Sequence, residues 1–477
     1  MKFAPCSLLR GVGFPKMKKG GKMGYFKRTK PADGRNENGQ PITAGNGGSQ
    51  NFRIPCIVTL KDGTIVAAAD VRWDAEADGG GLDIIVSSSS DQGKTWSYTF
   101  ANYLGDNGNV YDENSSTLMD PALATDGKRL YLLADLFAGG YSAFRKNLKC
   151  GSGFTKEGWL RVRKRGQKDY DCYVKEHRIF GADGTEISDY AVDDWFYVTK
   201  NGICQGNLFF QDTPWEAYPT CYLCLTTSGD SGRTWSAPQL IFGVKKDEED
   251  FYGTGPGRGL VTADGTLLFS CYNGAEASVI FSKDQGKTWN RFGKIPGTES
   301  QPVELADGTI RIFFRNLQDA ICYADVVKTG AGDSAERSRA YEVTDIVNTG
   351  VPNCSHCMVS ALAYSKKVDG KNAVLVCCPS VVGTWDGRYN GKIYTFLLDD
   401  ENNMALTYTY AVNGTEEKEF FAYSCMAQLP DGSIGLLYED SCIHYLGRAH
   451  GVGQSRVVYR KIAMEEIAPG AVIRSEQ

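Results

Sequence analysis

The chain has 477 residues, enough for one large domain with an insert, or for two or three domains. A formal net charge of −5 and a pI near 5.6 argue against a nucleic-acid binder, which carries a basic patch or a basic pI. An anionic ligand would therefore have to be drawn by local charge rather than by the whole molecule. Aromatic residues at 12%, 55 glycines and only 23% charged residues describe a strand-and-turn protein better than a helical one. No run of about 18 apolar residues occurs, so no membrane-spanning segment is expected.

Residues 1–45 are rich in Lys, Gly, Pro and Asn, hold no secretory apolar core, and are expected to be a poorly ordered extension. From Asn46 onward, short apolar runs alternate with Asp-Gly turns at Asp62-Gly63, Asp126-Gly127, Asp264-Gly265, Asp307-Gly308 and Asp431-Gly432. These predict a succession of β-hairpins. The first run contains Asn51-Phe52-Arg53-Ile54-Pro55, followed by Cys56, Ile57, Val58 and Leu60. It reads as a strand buried on both faces, with Pro55 at an edge or start. An arginine in such a strand needs an anion, either an internal carboxylate or a ligand. Next comes Asp70-Val-Arg72-Trp-Asp74-Ala-Glu76-Ala-Asp78-Gly-Gly-Gly81, which places four acids on one arginine-bearing segment.

A stronger repeat lies over the hairpins. Ser89 to Trp96, Ser228 to Trp235 and Ser282 to Trp289 all follow S-x-D-x-G-x-T-W. Asp takes backbone amides ahead of it, Gly takes a conformation other residues avoid, and Trp closes the corner by burying its ring. Trp235 and Trp289 lie 54 residues apart, the length of one four-stranded propeller blade. Trp96 and Trp235 lie 139 residues apart, too far for one blade, so a small β subdomain is expected to be inserted over 151–218. A fourth copy decays between Asp325 and Asp333.

The cysteine count of 15 is odd and shows no framework spacing, which predicts free, buried thiols. Cys221-x-x-Cys224 and Cys354-Ser355-His356-Cys357 resemble fragments of a zinc site. Residues three apart on a strand point to opposite faces, and no metal site is expected.

F-R-I-P upstream of repeated S-x-D-x-G-x-T-W turns resembles the sialidases (neuraminidases), and most nearly bacterial-type sialidases with an inserted β subdomain. The resemblance runs from Asn51 to about Lys461. It implies an all-β, six-bladed β-propeller formed by 46–150 and 219–477, carrying the subdomain at 151–218. It also implies an exo-sialidase, a glycoside hydrolase acting on sialylated glycans, with no metal and no organic cofactor.

By that resemblance, Arg53, Arg315 in Phe-Phe-Arg-Asn-Leu, and Arg388 in Asp-Gly-Arg-Tyr correspond to three arginines that hold the substrate's carboxylate. Guanidinium pairs with carboxylate in a bidentate way and stays charged at every working pH. Arg258 lies in a Gly-rich turn that suggests a structural or rim role, and it is left out of the three. Tyr423 corresponds to a tyrosine nucleophile, an exception to the two-carboxylate rule made where the substrate carries its own carboxylate. Glu299 corresponds to its base, because an unassisted phenol is a poor nucleophile at neutral pH. Asp78 corresponds to the acid/base, with Asp74 or Glu76 as weaker alternatives. Arg72 and Asp120 resemble contacts to the sugar's O4 corner. Met119, Phe137 and Tyr272 are expected as walls of the N-acetyl pocket or as plain core, and Glu439 as the acid that orients Arg53.

Transfer to an acceptor or to the substrate's own O7 is the alternative to hydrolysis, with rim aromatics such as Trp385 bearing on the choice. A glycan-binding propeller without catalysis and an unrelated scaffold are the remaining readings. A monomer is expected. Localisation stays divided between a secreted or surface relative and a chain with free thiols and no visible signal peptide.

Overall fold

Each of the five Asp-Gly pairs named above marks a hairpin turn in the computed structural model. At the first, Asp62 Oδ1 accepts the Thr64 amide at 2.9 Å, and Gly63 turns the chain at φ 87°, a conformation that favours glycine. The structure describes residues 30–73, 78–104, 116–142, 148–211, 213–328, 341–383, 387–415, 418–442 and 454–475. It is all-β, with a propeller-like arrangement of antiparallel sheets.

The strands follow one another as meanders. Asn51–Thr59, Ile65–Arg72, Leu82–Ser89 and Trp96–Asn102 pair in sequence order. Thr117–Thr125 and Leu130–Phe137 form a hairpin whose next strand is Tyr222–Ser228. Later sheets run Leu267–Tyr272 to Asn290–Ile295, Ser300–Glu304 to Ala320–Lys328, and Ser360–Val368 to Met404–Ala411. The last contains Ala422–Gln428, Ile434–Ser441 and Arg456–Ile462. This final sheet returns to the first: the Phe52 amide donates to Ser455 O at 3.0 Å, and the Ser455 amide to Asn51 Oδ1 at 2.9 Å.

The chain between Leu130–Phe137 and Tyr222–Ser228 forms a separate seven-stranded sheet, from Leu160–Lys164 to Trp215–Ala217. Its inner face shares a core with the neighbouring hairpin: Leu160, Val162, Phe209 and Trp215 pack in one cluster with Ala134, Leu136 and Tyr222. One expectation needs correction. Within the N-terminal stretch expected to be poorly ordered, Gly34–Asn36 forms an edge strand on Trp96–Asn102. The buried Asn36 and Asn46 side chains bond each other, so polar composition here serves a hydrogen-bonded turn. Residues 1–29 lie outside the described residues.

The three S-x-D-x-G-x-T-W copies adopt one geometry. The serine hydroxyl donates to the aspartate (2.8, 2.9 and 2.7 Å) and accepts the glycine amide (2.9, 3.0 and 2.8 Å). The threonine amide and hydroxyl both donate to the aspartate, and the indole N–H reaches the glycine carbonyl at 3.0 Å in every copy. Trp96 is fully buried, edge-on to Tyr459 of the last sheet at 5.2 Å. The fourth, decayed copy falls partly outside the described residues.

Burial opposes ionisation of Asp91 and Asp284, but the amide and hydroxyl of the following threonine hold each carboxyl at about 2. An unfolded aspartate titrates near pH 4, so the folded value is the lower one. The stability these turns contribute is therefore present above pH 4 and lost as pH falls from about 4 to about 2. Asp91→Ala and Asp284→Ala should each lower the free energy of unfolding at pH 7 by about 1–2 kcal/mol. The difference from wild type should vanish near pH 2, as read from denaturant midpoints. Midpoints that match wild type at both pH values would show that the turns hold nothing.

Candidate active site

Three strands lose register at the same end of the fold, and each register break carries a residue in the left-handed region. In Asn51–Thr59 the break lies between Arg53 and Cys56, with Ile54 at φ 55°. In Thr117–Thr125 it lies between Met119 and Ala122, with Asp120 at φ 58°. In Ala422–Gln428 it lies between Ala422 and Ser424, with Tyr423 at φ 34°. A β-branched residue at positive φ is a true outlier, and bulges of this kind re-aim side chains at sheet rims. Pro55 and Pro121 follow two of them and have no N–H to lose from the ladder. The displaced amides are caught by buried side chains: Ile54 N by Glu439 Oε1 at 3.0 Å, Asp120 N by Asp70 Oδ1 at 3.0 Å, and Tyr423 N by Cys357 Sγ at 3.3 Å.

The bulged strands open onto a cavity of about 700 Å³. Arg53, Asp78, Asp120, Glu299, Arg315 and Tyr423 all face it. At its floor the Tyr423 hydroxyl donates to Glu299 Oε1 at 2.7 Å, and Arg315 Nη1 donates to Glu299 Oε2 at 2.8 Å. Arg315 and Glu299 are neighbours because the Arg315 amide also bonds the Glu299 carbonyl at 2.8 Å. Burial and the Glu299 charge push the Tyr423 phenol well above its usual value, while Arg315 and Arg388 pull it back. At rest the phenol is therefore neutral, with a proton acceptor already in contact.

Arg53 is 2% exposed and pairs with the fully buried Glu439 (Nε to Oε1 3.0 Å, Nη2 to Oε2 3.2 Å). Its Nη1 lies 3.5 Å from Asp78 Oδ1, and its guanidinium carbon 5.4 Å from the centre of the Tyr423 ring. Asp78 also accepts Arg72 Nη1 at 2.6 Å, and Arg72 Nη2 donates to Asp70 at 2.9 Å. Burial and the charges of Asp70, Asp135, Glu299 and Asp78 push the Asp120 carboxyl well above its usual value.

Arg388 is fully buried and does not line the cavity. Its Nη2 donates to the His356 carbonyl at 2.7 Å, and its guanidinium carbon lies 5.1 Å from the Tyr423 ring centre. Met119 and Tyr272 are wall residues. Phe137 is not: it is 1% exposed and stacked on Phe251 at 6.4 Å, on the strand next to the bulged one in the same sheet. Of its two expected roles, core is the one it fills. Arg258 Nη2 donates to the Ala361 carbonyl at 2.9 Å, away from the cavity. Asp74, Glu76 and Trp385 lie outside the described residues.

Sequence reading missed several wall residues: Pro296 to Thr298, Asn316 to Gln318, Ser355 and His356. The segment considered for zinc thus lends Ser355 and His356 to the cavity, while Cys354 and Cys357 are buried beside Tyr423. Among the described residues, no group of three or more His, Cys, Asp or Glu side chains is arranged to hold a metal ion. Asp70 and Cys357 were also not assigned a part. Asp70 sits two residues before Arg72, on the same face of one strand, a signal the sequence did contain.

A model of the BNR repeat-like domain matches residues 208–435. The chain is 29% identical to the anhydrosialidase of Macrobdella decora, over 82% of this chain and 58% of the relative. It is 28% identical to sialidase B of Streptococcus pneumoniae, over 81% of this chain and 61% of the relative. The chain thus spans less than two thirds of these curated relatives. Among solved structures, the intramolecular trans-sialidase of Ruminococcus gnavus in complex with oseltamivir carboxylate superposes with a TM-score of 0.77 at 27% identity. That match covers 90% of this chain and 97% of the other. In its all-β propeller-like fold, its match to the BNR repeat-like domain and its sequence over most of its length, the chain is similar to bacterial-type sialidases.

Proposed function

We propose that the protein is an exo-sialidase that releases terminal α-linked sialic acid with retention, through a covalent sialyl-tyrosine. The contact that carries this reading is Tyr423 Oη to Glu299 at 2.7 Å, on the floor of a cavity also faced by Arg53, Arg315 and Asp78. A phenol bonded to a carboxylate and flanked by guanidinium groups is a nucleophile with its base in place. In this reading the meanders make a six-bladed propeller over 46–150 and 219–477, and 151–218 is an inserted subdomain.

Sialic acid bears a carboxylate on its anomeric carbon. Arg53 and Arg315 are available to pair with it from the cavity wall. Arg388 completes the set from behind the Tyr423 ring, where its charge favours the phenolate as it forms. Asp78 protonates the leaving oxygen while Tyr423 passes its proton to Glu299 and attacks C2. Water then attacks C2 as Asp78 takes its proton, the Tyr423–sugar bond breaks with the starting configuration restored, and Glu299 returns its proton to the departing phenolate. Asp120, on the cavity wall, is suited to contact the O4 corner, and Arg72, fully buried and off that wall, supports it through Asp70.

A second reading is favoured by the relatives' names, anhydrosialidase and intramolecular trans-sialidase. In it the substrate's own O7 hydroxyl attacks C2 in place of water. The bond broken is the same, and an anhydro sugar leaves instead of free sialic acid.

Three outcomes are expected. Tyr423→Phe and Glu299→Gln should each reduce kcat on a fluorogenic aryl sialoside by about 10²-fold or more while the chain stays folded. Wild-type rates in both would remove the tyrosine mechanism. Arg315→Ala should cost about 2–5 kcal/mol in kcat/KM; an unchanged value would exclude carboxylate recognition there. Sialyllactose followed by NMR should yield the α-anomer of free sialic acid first. An anhydro product would select internal transfer, and no release at all would leave only a binding propeller.

A further inference from the structure

Asp70 lies outside the cavity and touches no part of the proposed substrate, yet it joins two of the residues that face the cavity. It is fully buried. Its Oδ2 accepts Arg72 Nη2 at 2.9 Å, and its Oδ1 accepts the backbone amide of Asp120 at 3.0 Å. Arg72 in turn gives Nη1 to Asp78 at 2.6 Å. The register places Asp70 directly opposite Arg53. One carboxylate thus holds the arginine that holds Asp78, and also pins the left-handed turn that aims Asp120 into the cavity.

We propose that Asp70 is the positioning residue of the acid/base: it fixes Arg72 so that Arg72 can fix Asp78, and it locks the Asp120 bulge in register. This rests on the reading of Asp78 as the proton donor. The chemistry requires an anion with two free oxygens. A guanidinium and a peptide N–H are both donors only, so an amide at this position could satisfy one of them but would turn its own N–H₂ toward the other. The titratable and charged groups facing Asp70 are Arg72 on its own strand, Arg53 with the Cys56 thiol on Asn51–Thr59, Asp120 on Thr117–Thr125, and Asp135 on Leu130–Phe137. Burial pushes its carboxyl up to about 7 despite Arg72 and Arg53, so its charge is sensitive to this packing.

Asp70→Asn tests the assignment against two substrates. Sialyllactose needs its leaving oxygen protonated, whereas an aryl sialoside releases a phenolate without help. If Asp70 positions Asp78, kcat on sialyllactose should fall about 10- to 100-fold and fall much less on the aryl sialoside. With one negative charge gone, Arg72 would stabilise ionised Asp78 more strongly. The high-pH limb of the sialyllactose profile should then move about one pH unit lower. In Asp78→Ala, adding Asp70→Asn should cost little more. Equal losses on both substrates with an unmoved pH limb would overturn the proposal and leave Asp70 a structural residue. If Asp70→Asn does not fold, Asp70→Glu keeps the charge and should show the substrate difference without the pH shift; equal losses there overturn it equally. A wild-type protein that cleaves neither substrate would overturn the functional reading and this inference with it. An active wild type with an unaffected Asp70→Asn overturns this inference alone.

Discussion

Burial of guanidinium groups is the constraint on which the centre of the molecule depends. Arg53, Arg72 and Arg388 are all 2% exposed or less, and an uncompensated buried charge costs several kcal/mol. Each is answered locally: Arg53 by Glu439, Arg72 by Asp70 and Asp78, and Arg388 by the His356 carbonyl and the face of Tyr423. These partners come from different sheets. The ion pairs therefore dictate how the first and last sheets meet, and they do so around the cavity.

The same constraint accounts for the strained backbone. A regular strand would send Tyr423, Asp120 and Ile54 to positions set by the pleat. A left-handed residue at each break re-aims the chain, at about 1–3 kcal/mol apiece. The displaced amides would add to that cost if left bare in a dry interior. Glu439, Asp70 and Cys357 take them, so the side chains that balance buried charge or line the core also stabilise the bulges. Rigid strands carry the strain that loops could not hold.

Stability and chemistry occupy opposite ends of the strands. In the first sheet Arg72 pairs with Leu82 at the cavity end, while Ile65 pairs with Ser89, where the first S-x-D-x-G-x-T-W turn begins. The repeated turns tie hairpins together with local hydrogen bonds that involve no residue of the cavity. The aspartates that cap the turns at about pKa 2 and the carboxyls that burial pushes upward beside the cavity are the same residue type in opposite settings. Exposure to donors decides one, and desolvation decides the other.

What the sequence by itself determined was local. Asp-Gly pairs and S-x-D-x-G-x-T-W turns encode their own geometry within a few residues, and the gap between Trp96 and Trp235 marked where a second sheet leaves the first. The proximity of Glu299 to Arg315 was also legible, since adjacent strands of one hairpin carry them. The tertiary structure decided the rest. It placed Arg388 behind Tyr423 instead of on the cavity wall, put Phe137 in the core, turned Asp120 left-handed, gave Ser355 and His356 to the cavity, and paired Gly34–Asn36 with a strand about sixty residues away. Arg53 and Glu439 are 386 positions apart. Their contact exists because the last sheet closes against the first, and closure is a property of all the sheets packed together, which no stretch of residues specifies alone.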